Sequence, residues 1–573
     1  MASMVRVFRW AIGVGAGVWL GSITIVGAAV AEVANPTLEV GIVQRFGESS
    51  GDRLTVSAVG GAQVILGAPA PTGDSVGESA PINGQHNSEL LNVEGRSADG
   101  EGLSVTVPSI NVRVSNQFHP QSILQQRLIL SRHRSFESAE ASASEWEAMG
   151  VQTLTVQPEE WQVWADPEVY SSLDYERILE IARSRDRFSA SLDNELIAFN
   201  SSLSWTVGGQ TYTGDTLTIR SSSGGPLIVN GRTYGGDLVL QPNTFGTFTV
   251  VNNVPIETYL RGVVPHEIGP GAPYEAIRAQ AILARTYALQ NRHRFAPDNY
   301  ELCADTQCQV YRGLSGTIPE ADRAIASTAG QVLTYDGQLV DAVYSSTSGG
   351  VTADFTHIWD GDPRPYLQSL PDTLLQNPPV GTLDLSRDDQ FRQFLGWRSG
   401  FNEAGVSNYF RWRLDQPLDK LTRNLRDNQS FLGITIPDYE AIVGLEVLER
   451  SPSGRVQAMR LDLRQQDGNL TSVTLRKDEI LLGLRATYSL LFAIDPLYAN
   501  GSLSGYRFTG GGLGHGVGMS QYGSYTLARR GLNAINILSF YYPGTAIAPL
   551  TPALASETTE LPSKVLSLTH TEH

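Results

Sequence analysis

The chain has 573 residues, with 59 Asp and Glu against 42 Lys and Arg and a formal net charge of −17. That length exceeds one ordinary domain and predicts about three. An acidic balance with no basic run argues against a nucleic acid as partner, because such binding needs clustered Lys and Arg. At the N-terminus, Arg6 and Arg9 precede the apolar run Ala11 to Val30 and the small-residue site Ala29-Val30-Ala31. Residues 1–31 therefore read as a signal peptide cut before Glu32, or, uncleaved, as a membrane anchor. Either reading puts the bulk of the chain outside the cytoplasm, in the periplasm or the cell wall.

Residues 36–115 carry a β pattern. Leu38-Glu39-Val40-Gly41-Ile42, Arg53-Leu54-Thr55-Val56 and Leu103-Ser104-Val105-Thr106-Val107 alternate apolar and polar as half-buried strands do, around a Gly-, Pro-, Ser- and Asn-rich loop at 67–102. Over 120–187 the signals alternate: a strand at Arg127-Leu128-Ile129-Leu130, a helix from Glu137 to Met149 closed by Gly150, a strand at Trp161-Gln162-Val163-Trp164 and a helix from Leu173 to Ala182. That order predicts a small α/β module of ferredoxin-like type. From Ser191 to Val254 strands return, separated by Gly208-Gly209 and Gly235-Gly236.

The stretch Val264 to Leu289 organises the chain beyond that point. Pro273 opens a helix, Glu275 puts negative charge near its N-terminus, and an alanine-rich run continues it. Ile277, Ala281, Ala284 and Ala288 predict one buried stripe, and Arg278 and Arg285 share another that can hold an anion. Glu267 lies just upstream, in a predicted loop containing Pro265, Gly269, Pro270 and Gly271. Further on come Cys303 and Cys308, the turn Tyr344-Ser345-Ser346-Thr347-Ser348-Gly349-Gly350, and the glycine-rich Gly510 to Gly523 with His515 and Gln521. This last run lacks a Gly-Lys-Ser/Thr ending and a G-x-G-x-x-G register, so it is not a nucleotide loop. A helix is predicted from Ala528 to Tyr541, and a Ser-, Thr- and Pro-rich disordered tail at 547–573.

LRGVVPHEI followed by AIRAQAILARTYAL resembles the signature of the SpoIID/LytB domain of bacterial cell-wall proteins. The resemblance continues through the Cys303 to Gly313 block, Tyr344 to Gly350, and GHGVGMSQYG, covering 191–546. It implies an α+β multidomain protein whose β-rich catalytic domain is built on the alanine-rich helix. It also implies a peptidoglycan lytic transglycosylase in which Glu267 is the catalytic acid, and Arg278 stands where the family commonly has Lys. Arg285, Tyr344, Ser345, Ser348, His515 and Gln521 would then line the cleft and bind glycan strands. Phe136 with Trp161-Gln162-Val163-Trp164 is similar to a SPOR-like domain, whose relatives bind glycan strands.

Three readings of Cys303 and Cys308 stand at this point: a disulfide, free thiols, or ligands of a structural zinc completed by His293 or His515. Gln307 occupies the place where relatives often carry a His. No cofactor is required for the expected reaction. Two rivals accompany it. One is a non-catalytic wall-binding protein that modulates a cell-wall amidase. The other is a glycoside hydrolase using Asp354 or Glu275 as the second carboxylate.

Overall fold

The computed structural model describes residues 35–61, 64–67, 104–183 and 190–556. The predicted signal peptide, most of the predicted loop at 67–102 and the end of the tail lie outside these residues. The architecture is mixed α+β.

The first strand, Thr37–Phe46, buries Leu38 and Val40 and pairs antiparallel with Phe248–Pro255, from Thr37 opposite Pro255 to Phe46 opposite Phe248. This pair sits inside a seven-stranded sheet that also takes in Asp237–Pro242, Leu217–Ser221, Val64–Gly67, Ser104–Val107 and Leu302–Cys303. The 36–115 stretch is therefore not a module apart, as its local pattern suggested; its strands interleave with those of the later domain. A few short strands cannot bury one apolar face by themselves, and here they acquire it from partners some two hundred residues away.

The 120–187 region forms the predicted strands and helices and one strand more. Ser109–His133 is flanked antiparallel by Ser191–Val207 on one side and Trp161–Ala165 on the other, with the additional strand Thr153–Val156 beyond. The helix Phe136–Ala148 buries Phe136, Ala139, Ala143 and Trp146 along one face, and Phe136 meets Trp161 edge-on at 4.9 Å. Its polar edge binds the rest of the chain through Glu137 to Arg294 at 2.5 Å and Glu140 to His293 at 2.9 Å.

At the centre lies the alanine-rich helix Tyr274–Gln290, with Pro273 as its N-cap. Thirteen of its seventeen residues are buried, more than the single stripe expected from sequence. Ala281, Ala284 and Ala288 pack into the core shared with the large sheet; Ala279, Ile282 and Leu283 pack into a second core with Val340, Ala342 and Phe508. A helix clamped between two cores must be apolar all round, and alanine keeps it thin enough for both to close. In the C-terminal half, Asp388–Gly396 and Leu418–Asn428 are helices, and Ala441–Arg450, Val456–Arg464 and Leu470–Arg476 form an antiparallel meander.

Two further expectations are corrected near the end. The helix predicted from Ala528 to Tyr541 is two helices, Gln521–Arg529 and Ala534–Tyr541. Gly531 takes a left-handed φ between them, and the Asn533 side chain caps the second by accepting from Asn536 N. The predicted disordered tail is ordered through 556: Ala546–Pro549 pairs with Gln331–Tyr335, and Pro552–Ser556 is a short helix. Buried Leu550 and Leu554 anchor it, a signal hidden by the polar composition around them.

Candidate active site

Glu267 is the last residue of a helix, Ile256–Glu267, rather than part of a loop. Pro265 lies inside that helix and removes one backbone donor, yet buried Ile256, Tyr259, Leu260, Val263 and Val264 hold the segment helical against the local preference. The helix then stops at Ile268, and Gly269 turns away with a positive φ. The carboxyl is thus delivered from a packed scaffold, which defines its position better than a loop would.

Three segments converge on it. The Val310 amide donates to Glu267 Oε1 at 2.7 Å. The Tyr344 hydroxyl also hydrogen-bonds the carboxyl. Gln521 Nε2 donates to the Glu267 main-chain carbonyl at 2.9 Å, and its carboxamide acts on the carboxyl as well. Behind Tyr344, its oxygen accepts from Gln309 Nε2 at 2.9 Å, and Gln309 Oε1 accepts from the Tyr259 hydroxyl at 3.2 Å. With Gln309 donating, the Tyr344 proton is free to point at Glu267. Burial pushes the Glu267 pKa above the usual carboxylate range; the bonds from Val310, Tyr344 and Gln521 pull the other way without cancelling it.

The two sequence blocks behind this triad lie side by side. Tyr344–Ser345 and Met519–Ser520 form a short parallel pair, and Thr347 bridges to Leu513. The close approach depends on glycine: Gly518 has φ +70°, and a Cβ there would overlap the Val343 carbonyl oxygen. Ser345 is buried beside this seam, its hydroxyl unpaired within the protein.

Several residues predicted to line the cleft do other work. Arg285 is fully buried and forms a bidentate pair with Glu257, at 2.7 and 2.8 Å, while donating to the Gln331 carbonyl at 3.0 Å. It is a structural cation, because a buried guanidinium needs a charged partner and finds one on the neighbouring helix. Arg278 pairs with Glu275 at 3.0 Å, and Glu275 also accepts from Ala534 N at 2.8 Å. Both guanidiniums are thus held by carboxylates of their own. His515 is partly buried, with Nε2 donating to the Tyr344 carbonyl at 2.8 Å and Nδ1 accepting from Val517 N at 3.1 Å. That pattern defines a neutral ring, and burial pushes its pKa down to about 4. It fixes the backbone of Tyr344.

Ser348 belongs to a buried polar cluster. Its amide and that of Gly349 donate to Glu403, whose Oε1 also accepts from Ser520 Oγ at 2.6 Å. Its hydroxyl reaches Asp372, which accepts from Asn402 and Tyr541, each at 2.9 Å. Burial and the neighbouring Glu403 charge push Asp372 well above the carboxylate range, and the two acids share a hydrogen bond. This pair was not anticipated: Asp372 and Glu403 fall in no motif. Nor was Gln309 singled out, although it directly follows Cys308 in a recognisable block.

Cys303 and Cys308 are joined in a disulfide. Among the described residues no group of three or more His, Cys, Asp or Glu could hold a metal. His293 is engaged by Glu140 and His515 by Tyr344, so neither completes a zinc site and the donor set does not fit that metal. Asp354 caps the turn Phe355–His357 by accepting from Thr356 N, and is not poised as a second carboxylate.

Comparison with known proteins covers the Glu267 and Cys303 blocks and part of the glycine-rich run. Residues 244–335, which carry Glu267 and the alanine-rich helix, match a family model described as Stage II sporulation protein. That segment is similar to the stage II sporulation protein family. Residues 353–518 match a model described as a domain of unknown function, DUF8618. The chain is 28% identical to the Amidase enhancer of Bacillus subtilis, over 58% of this chain and 50% of that protein. It is 27% identical to Stage II sporulation protein D of the same organism, over 52% of this chain and 76% of that protein. The chain thus spans only half the length of the first of these relatives.

Proposed function

We propose that the chain is a peptidoglycan lytic transglycosylase with Glu267 as its single acid and base. The observation that carries this reading is a largely buried carboxyl at a helix end with a raised pKa, held by the Val310 amide and the Tyr344 phenol. Such a group remains protonated closer to neutral pH, as a general acid must. Glu267 gives its proton to the glycosidic oxygen between N-acetylmuramic acid and N-acetylglucosamine. The resulting carboxylate, stabilised by Val310 N–H and Tyr344 O–H, takes the proton of the muramic 6-hydroxyl as that oxygen closes onto C1. The product is a 1,6-anhydro end, and no water is consumed.

One carboxyl suffices because the nucleophile belongs to the substrate, whereas a hydrolase needs two at about 5–9.5 Å. The candidates for a second are engaged elsewhere, Glu275 by Arg278 and Asp354 by its own turn. The α/β module, with its strands in the order fourth, first, third, second, suits the role of a SPOR-like glycan-binding accessory. In this reading the protein acts outside the cytoplasm, on the wall; among the described residues no helix is long and apolar enough to cross a membrane.

The test is mass spectrometry of amidase-treated peptidoglycan incubated with the wild type and with Glu267→Gln. Anhydro ends from the wild type alone are expected. A second reading, a wall-binding protein that modulates an amidase, is favoured by the name of the amidase-enhancer relative. It predicts no cleavage by either protein and an unaltered effect of Glu267→Gln on amidase activity.

A further inference from the structure

The segment that supplies both the Val310 amide and Gln309 begins immediately after Cys308, and its course is set at three places. Upstream, Leu302–Cys303 is paired parallel to Val40 and Gly41 of the first strand. Downstream, buried Tyr311 donates its hydroxyl to Asn252 at 2.8 Å, its amide bonds the Ala304 carbonyl at 3.0 Å, and Arg312 N bonds the Gly262 carbonyl. Between these anchors, Asp305, Thr306 and Gln307 are polar, and the first two are exposed. They are held by the Asp305 turn, closed by Gln307 N at 2.8 Å, and by Arg294 donating to the Gln307 carbonyl at 3.1 Å. The disulfide is the covalent closure of this interval and sets where Gln309 and Val310 emerge.

We propose that the Cys303–Cys308 bridge, acting through Gln309 and Val310, is a positioning device for the Glu267 carboxyl, and that a dithiol reductant releases it. The inference rests on Glu267 as the acid. With Gln307 ahead of the second cysteine and a donor set that does not fit zinc, a covalent link does the shaping of this loop. Reduction consumes one dithiol: the two protein sulfurs become thiols and the reagent becomes a cyclic disulfide. The freed loop then lets the Val310 amide drift from Oε1 and the Gln309 amide from Tyr344, so the Tyr344 proton is no longer directed at Glu267. Misplacement of this kind costs roughly tenfold to a hundredfold in rate.

The experiment uses the full chain in three forms: oxidised, reduced with dithiothreitol, and Cys303→Ser/Cys308→Ser. Hydrogen exchange of the Val310 amide and the cleavage rate on amidase-treated glycan are measured together. Faster Val310 exchange and a tenfold or greater fall in kcat are expected in the second and third forms, with exchange in the alanine-rich helix unchanged. A fourth form, Gln309→Leu, keeps the bridge and removes the amide. It should move the alkaline limb of the kcat/KM profile to higher pH, because Tyr344 then stabilises the Glu267 carboxylate less well.

Equal Val310 protection in the oxidised and reduced chains would overturn the proposal, and so would a fourth form with an unmoved limb. If no form cleaves glycan, the reading of Glu267 has failed; the exchange measurement still decides whether the bridge holds the amide in place.

Discussion

Replacing Glu257 with Ala tests whether Arg285 is a structural cation or a cleft residue. The substitution removes both carboxylate contacts, at 2.7 and 2.8 Å, and leaves a guanidinium with no exposed surface holding only the carbonyls of Gln331 and Ala281. Breaking a buried pair from one side costs about 3–5 kcal/mol. The lower end applies here, since the Glu257 side chain keeps 22% of its exposure and water can enter where it stood. A loss of about 3 kcal/mol lowers Tm by roughly 4 °C in a domain of about 350 residues, at ~2.1 cal/mol/K of unfolding entropy per residue. Glu257→Leu with Arg285→Met removes both charges together and should recover most of that loss, because an apolar replacement needs no partner. The assay is thermal unfolding by circular dichroism, paired with cleavage measured well below every transition. The expected outcome is lowered Tm with nearly normal kcat per folded molecule. Loss of cleavage or glycan binding in Arg285→Met with Tm unchanged would refute the argument and return Arg285 to the cleft.

Other expectations come from the buried groups. Asp372 binds its proton more tightly folded than unfolded, so its stabilising contribution is complete at acid pH and drains away as pH rises through the raised folded value. Asp372→Asn keeps the acceptor for Asn402 and Tyr541 and a donor toward Glu403; it should flatten the alkaline side of a urea-stability profile, and parallel profiles would count against the shared proton. His515 runs the opposite way. The unfolded chain takes up that proton first as pH falls below ~6.5, so stability should decline down to about pH 4 and be level above. His515→Gln, retaining a donor toward the Tyr344 carbonyl, should remove that slope without adding a limb to the activity profile between. Gly518→Ala places a methyl group on the Val343 carbonyl at a left-handed φ, and should cost about 2 kcal/mol or more, seen as a lowered Tm.

Much of the site was legible in the chain because its parts are local. The alanine-rich helix, its Pro273 cap and the Gly510 to Gly523 run each declare themselves within about twenty residues, through propensity, capping and positive φ. Glu267, Tyr344 and Gln521 were identified from their blocks, and the structure brings all three together. Arg278 and Arg285 were expected on an anion-holding stripe and His515 in the cleft; the structure shows them paired with Glu275, Glu257 and the Tyr344 carbonyl, since a charged or polar residue on a motif shows its chemistry but not its partner. Glu257 is 28 positions from Arg285 and sits on a different helix, so no helical periodicity of the alanine-rich segment could reveal the pair. Asp372 and Glu403 were invisible for the same reason, being polar residues in a stretch without pattern.

By itself, then, the sequence determined the elements with strong local codes and singled out Glu267, Tyr344 and Gln521, which the fold brings together. The tertiary structure alone decided the pairing of Thr37–Phe46 with Phe248–Pro255, the embedding of Glu267 at a helix end, and the pairing of Arg285 with Glu257. The physical reason is the same in each case. Helix propensity, caps and glycine conformations are properties of neighbours along the chain, whereas desolvation and charge pairing depend on which distant segments exclude water from one another.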